Sequence, residues 1–126
     1  MARILLAEDE QSVREFVHRA LVHRGHEVTT VNDGGEALEA LQDARYDLLL
    51  TDIVMPRVDG VALALKVSKE FPDMRIVLMT GYAAERDRAH NLDALVHEVI
   101  SKPFTLSEIC DTIDAALIPG SSDKDP

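Results

Sequence analysis

Five polar residues, each standing where an apolar run of the sequence stops, have side chains that could do chemistry together: Glu8, Asp9, Asp52, Thr80 and Lys102. Three carboxylates gathered at one place repel each other and raise one another's pKa. A divalent cation removes that conflict. Hard oxygen ligands with open coordination positions suit Mg²⁺, which keeps several waters and often bridges to a phosphoryl oxygen. With the negative charge shielded in this way, an anionic phosphoryl donor can approach and Asp52 is oriented for in-line attack. Phosphoryl transfer asks for positioning and charge stabilisation and little else from a protein. Lys102 adds a fixed positive charge opposite the metal, and Thr80 a hydroxyl donor for a phosphoryl oxygen. An aspartyl phosphate would carry about −1.5 to −2 charge, by analogy with phosphoserine. Thr80 and Lys102 are the groups that would reorganise around it.

For these residues to meet, the chain must bring five run-ends to one edge. Arg3 to Ala7 is a continuous apolar run closed by Glu8-Asp9-Glu10. Ser12 and Glu15 have the spacing of a capping box, and Val13, Phe16, Val17, Ala20 and Leu21 fall on one helical face up to Gly25. His26 to Val31 reads as a strand, and Asn32-Asp33-Gly34-Gly35 as a turn and cap before a second amphipathic helix. Tyr46 to Thr51 runs into Asp52. Asp59 caps a third helix that Pro72 ends, and Arg75 to Thr80 forms a fourth strand. Glu85 to about Leu95 reads as a polar helix, Val96 to Ser101 as the fifth strand. Thr105 and Glu108 make a second capping box for a helix whose apolar face is Leu106, Ile109, Ile113 and Leu117. Five strand–helix units in succession predict an α/β fold: a doubly wound, flavodoxin-like (βα)5 sandwich with a parallel sheet of order 2-1-3-4-5. Ligands of such sheets bind at the carboxyl ends of the strands, near the switch point of the winding. That edge is where the five residues fall.

Composition excludes other classes. The 126 residues fit one domain, expected over residues 1–118, with the Pro/Gly-rich polar stretch 119–126 expected as a disordered tail. A net charge of −10 repels nucleic-acid phosphates and anionic lipid, so neither direct DNA binding nor a membrane role is expected. No stretch approaches the roughly 18 apolar residues of a membrane helix. The single Cys110 cannot form an intrachain disulfide, which fits a reducing cytoplasm. The histidines at positions 18, 23, 26, 90 and 97 lack ligand spacing and read as surface or loop residues.

Taken together, the acidic pair after the first strand, the segment Leu-Leu-Leu-Thr-Asp-Ile-Val-Met-Pro-Arg-Val-Asp-Gly around Asp52, Met-Thr-Gly-Tyr after the fourth strand and Ser-Lys-Pro-Phe after the fifth resemble the CheY-like receiver domain of two-component response regulators. The resemblance spans about residues 2 to 118. It implies that Asp52 is the phosphoacceptor and that Glu8, Asp9 and the Val54 main-chain carbonyl join it around Mg²⁺. Thr80 and Lys102 would be the switch residues, and the Lys102–Pro103 bond cis. The expected donor is a histidine kinase or a histidine phosphotransfer protein, docking on Gln11, Arg14, His18 and Phe104. The predicted helix over 85–95, the fifth strand and the last helix would form the output face. The wording Ala-Glu-Asp-Glu and His-Glu-Val-Ile-Ser-Lys-Pro-Phe-Thr-Leu further resembles single-domain regulators of the CpdR type. These act, when unphosphorylated, as adaptors that prime the AAA+ protease ClpXP. A phosphorelay shuttle or phosphate sink is the alternative for a receiver standing alone.

The sequence departs from that family at one position. Three residues before Lys102, where receivers carry an aromatic, stands Val99. Tyr82, two after Thr80, would screen an aspartyl phosphate from water, and Val54 offers no side-chain group to orient a hydrolytic water. Two other classes fit less well. An FMN-binding flavodoxin needs a Ser/Thr/Gly-rich first loop, and this one is acidic. An aspartyl-nucleophile phosphatase wants a second acidic residue two after the nucleophile, where Val54 stands.

Overall fold

The computed structural model describes residues 2–81 and 96–118. The predicted helix over 85–95, Tyr82, His90 and the segment 119–126 lie outside the described residues. Strands β1 (Arg3–Ala7), β2 (Glu27–Val31), β3 (Leu48–Asp52), β4 (Arg75–Thr80) and β5 (Glu98–Ser101) form one sheet of order β2-β1-β3-β4-β5, every pair parallel. The expected flavodoxin-like winding is the one observed.

Side chains alternate across a strand, so the apolar runs feed two separate cores. Leu5, Leu49, Ile76 and Leu78 point to one face and pack with Ala37 and Leu41 of α2 (Gly34–Asp43) and Leu63, Ala64 and Val67 of α3 (Gly60–Glu70). Ile4, Leu6, Leu48, Leu50, Val77, Met79 and Ile100 point to the other. They meet Val17, Ala20 and Leu21 of α1 (Gln11–His23) and Ile109, Cys110, Ile113 and Ala116 of α4 (Leu106–Leu117). The Cys110 thiol is buried, and its Sγ lies 3.5 Å from the Ala20 carbonyl oxygen.

Among the described residues, the caps follow expectation at three of the four helices. Asp33 accepts from the Glu36 N–H, Asp59 accepts from the Ala62 N–H, and Thr105 and Glu108 form a reciprocal capping box. The Ser12–Glu15 box does not form. The helix starts earlier, at Gln11 with Glu10 as its N-cap, so Ser12 already lies inside the first turn, and Glu15 accepts instead from the Gln11 side chain. Two residues assigned to apolar faces are in fact exposed: Phe16 at 41% and Leu106 at 47%. Both lie at the rims of their helices' buried stripes. His26 stands in the connection between α1 and β2, as expected of a loop histidine and one residue before the strand starts, but its side chain is only 9% exposed. Its ring accepts from the Ala2 N–H at 3.3 Å and lies 2.9 Å from Asp114 of α4, which Arg24 also pairs.

One close approach ties α3 to the end of β3. A Cβ at Gly60 would stand 2.0 Å from the Asp52 carbonyl oxygen, a backbone atom that cannot swing away. Gly60→Ala is therefore expected to destabilise the domain by about 1–3 kcal/mol, as overpacking does. A urea melt with an unchanged midpoint would contradict this contact.

Candidate functional site

Each site residue is set by the strand that carries it. The register pairs Ala7 with Thr51, Asp52 with Met79, and Thr80 with Ser101, so the strands finish side by side. Glu8 and Asp9 follow β1, Asp52 closes β3, Thr80 closes β4, and Lys102 follows β5. All five converge on the carboxyl edge of the sheet, as the sequence predicts.

The centre of the cluster is Lys102. Its ammonium donates to Glu8 Oε1 and to Asp52 Oδ2, each at 2.9 Å. Glu8 is fully buried and Asp52 is 7% exposed, whereas Asp9 faces solvent. The second oxygen of Glu8 accepts the Glu10 N–H at 3.0 Å, and Asp52 Oδ1 accepts the Ile53 N–H at 2.9 Å. Arg14 of α1, which the sequence marked only as a docking residue, donates to the Glu8 carbonyl at 2.9 Å and fixes the turn out of β1. Its place in α1, one turn past the acidic pair, is the signal for that contact. Thr80 is buried, with its hydroxyl 3.5 Å from that of Ser101, and its carbonyl accepts the Lys102 N–H at 2.7 Å. The Lys102–Pro103 peptide bond is cis.

Electrostatics follow from burial. Burial is the main cause that lifts the Glu8 carboxyl to about 7. The Asp52 charge adds to the rise, while the Glu10 N–H and Lys102 oppose it. Burial alone would lower Lys102. Its hydrogen bonds to Glu8 and Asp52 and their charges outweigh that, so its pKa is raised.

One carboxylate oxygen each from Glu8, Asp9 and Asp52 lies within 4.8 Å of the other two, the one such cluster among the described residues. All three donors are hard oxygens. With these carboxylates ionised, the single charge of Lys102 leaves two negative charges unbalanced. A small divalent cation, reached directly or through its waters, fits both the donor chemistry and the charge. Val54, whose carbonyl the resemblance assigns to the metal, sits in the loop after β3 with its side chain 54% exposed. Val99 is half-buried against the α2–α3 core and paired with Leu78, so no aromatic ring stands at that position.

The response regulator receiver domain family matches residues 4–114. The response regulator receiver protein CpdR of Brucella abortus is 42% identical over 118 residues, covering 94% of this chain and 98% of that protein. Response regulator MprA of Mycobacterium leprae is 36% identical over 115 residues, covering 91% of this chain but 50% of MprA. Response regulator protein TrrA of Thermotoga maritima, crystallised in complex with Mg²⁺-BeF, superposes with a TM-score of 0.84 at 32% identity. That match covers 93% of this chain and 100% of TrrA. The family model spans residues 4–114 and the likeness to CpdR runs nearly the length of both chains, in accord with the fold and the acidic edge: the protein belongs to the response regulator receiver domains.

Proposed function

We propose that this domain is the phospho-acceptor of a two-component relay, with Asp52 the acceptor, Glu8, Asp9, Asp52 and the Val54 carbonyl its Mg²⁺ site, and Thr80 and Lys102 its switch groups. The observation that carries the reading is the Lys102 ammonium at 2.9 Å from both Glu8 and Asp52, with Asp9 alongside. A histidine kinase, a histidine phosphotransfer protein or a small acyl phosphate supplies the phosphoryl group. A carboxylate oxygen of Asp52 forms the new P–O bond as the bond from phosphorus to the donor atom breaks, and the donor leaves with that electron pair. Bound Mg²⁺ would supply charge neutralisation between donor and carboxylates. The residues of the chain do the rest: the Ile53 N–H and Lys102 hold the Asp52 carboxylate in a fixed plane, and Lys102 and Thr80 offer donors to the phosphoryl oxygens. An apolar depression of ≈ 240 Å³ beside the site, lined by Val13, Phe16, Pro103 and Phe104 among others, gives a donor protein a place to dock.

The downstream role follows the likeness to CpdR over nearly the full length of both chains. In this reading the unphosphorylated domain is an adaptor for the AAA+ protease ClpXP, and phosphorylation of Asp52 switches it off.

Three measurements test these readings. Intact mass after incubation with acetyl phosphate should rise by one phosphoryl group when Mg²⁺ is present, and not in chelator or in Asp52→Asn. No gain in the folded wild type would sink the acceptor assignment. Immobilised Asp52→Ala should retain the purified ClpX unfoldase, and phosphorylated wild type should retain less. Failure of both to bind, with phosphorylation intact, would leave a relay shuttle or phosphate sink.

The third test concerns pH. Glu8 is raised from 4.5 unfolded to about 7 folded, so between these values the folded state holds a proton that the unfolded chain has released. Stability in chelator should therefore fall as pH rises from 5 to 8. Lys102 does not contribute to this slope, because its raised pKa keeps it charged throughout the window. Glu8→Gln should flatten the profile of urea midpoint against pH, and a slope that survives the substitution would assign it elsewhere.

A further inference from the structure

The segment between β3 and α3 carries Val54 past the acidic cluster, and it is fixed at both ends. At its base the Gly60 N–H donates to the Ile53 carbonyl at 2.7 Å. At its tip Arg57 adopts φ 71, a left-handed conformation that penalises any residue with a Cβ and persists where the surroundings hold it. The side chain supplies the hold. Arg57 Nε lies 3.4 Å from Asp33 Oδ1, and Nη2 lies 3.9 Å from Glu39 Oε2. Asp33 is itself anchored as the cap of α2, accepting the Glu36 N–H at 2.8 Å.

The paired glycines at the start of α2 make room for this arrangement. A Cβ on Gly35 would stand 2.0 Å from Arg57 Nη2, and one on Gly34 would stand 1.9 Å from the Val58 carbonyl oxygen. Two successive loop residues thus dock on two successive bare positions of the helix. The guanidinium is about half exposed, and ion pairs of that kind contribute little to folding. The strained backbone at Arg57 works against folding. What the clasp does is fix the loop that starts at Asp52 and includes Val54.

We infer that Arg57 is a positioning residue for the phosphoryl-transfer site: clasped against Asp33, Glu39 and Gly35, it holds the β3–α3 loop in the shape that receives the divalent cation. The inference rests on the Mg²⁺ reading of Glu8, Asp9 and Asp52 given above.

The test is a Mg²⁺ titration of the full chain followed by amide chemical shifts, beside urea melts in chelator. Arg57→Gly suits the backbone and removes the clasp. It should bind Mg²⁺ about three- to fivefold more weakly, the scale of an exposed ion-pair contact, while its urea midpoint stays level or rises. Gly35→Ala, which favours the helix but evicts the guanidinium, should weaken Mg²⁺ binding in the same sense. The double variant should bind no more weakly than Arg57→Gly alone, and Arg57→Lys should regain part of the affinity. Arg57→Gly with wild-type affinity overturns the inference, as does an affinity loss that only tracks a loss of stability. A wild type that binds no Mg²⁺ overturns the site reading itself, and the inference with it.

Discussion

The structure is organised around an electrostatic conflict. Glu8, Asp9 and Asp52 bring carboxylate oxygens within 4.8 Å of one another, and a single ammonium stands between two of them. In a low-dielectric setting such an arrangement costs stability unless geometry and hydrogen bonds compensate. Glu8 shows how far the compensation goes. Both its oxygens accept a hydrogen bond, and burial still lifts its pKa to about 7. A site of this kind is tolerated because the strain is local, and charge arriving from outside relieves it.

That tolerance comes from two dry layers lying on either side of the sheet. All five residues of β3 are buried, and β1 and β4 are nearly so. Alternate side chains of the same strands serve opposite cores, so shifting a strand by one residue would exchange the two sets. The register is therefore strongly specified, and with it the position of every group at the strand ends. Rigid strands make a strained site affordable: Asp52 and Thr80 are strand residues, and Glu8, Asp9 and Lys102 follow a strand end by no more than two residues.

The elements of this architecture were legible in sequence where the signal was local. The Leu48-Leu49-Leu50 run, Asp33 and Asp59 as caps, and the Thr105–Glu108 box are all patterns contained within a few residues. The Ser12–Glu15 box had equally good local credentials and does not form, because the helix begins at Gln11 and Ser12 is already inside its first turn. Phe16 shows the limit of periodicity. A 3.6-residue repeat gives a direction, but the width of the buried stripe depends on what packs opposite. His26 is the loop residue expected, but its partner Asp114 is 88 residues away, and no spacing rule reaches that far. The Lys102–Glu8 pair is separated even further, by 94 residues. The parallel topology still puts both of those strand ends on the same edge of the sheet, although β3 and β4 lie between them. Arg57 carried no sequence signal of its own, since its role depends on the glycines of another helix.

The His26 link also ties the two ends of the described fold to each other. Ala2 donates to the His26 ring, the ring meets Asp114, and Ala2 and Ile118 line the same depression at the amino ends of the strands. Both ends of the described fold therefore lie on the side away from Asp52, a strand's length of roughly 16 Å distant. Anything joined next to either end of the described fold, such as a surface tether, attaches at the pole opposite the chemistry. Such an attachment leaves the acidic edge open to its donor, and whatever happens there must cross the whole height of the sheet to be felt.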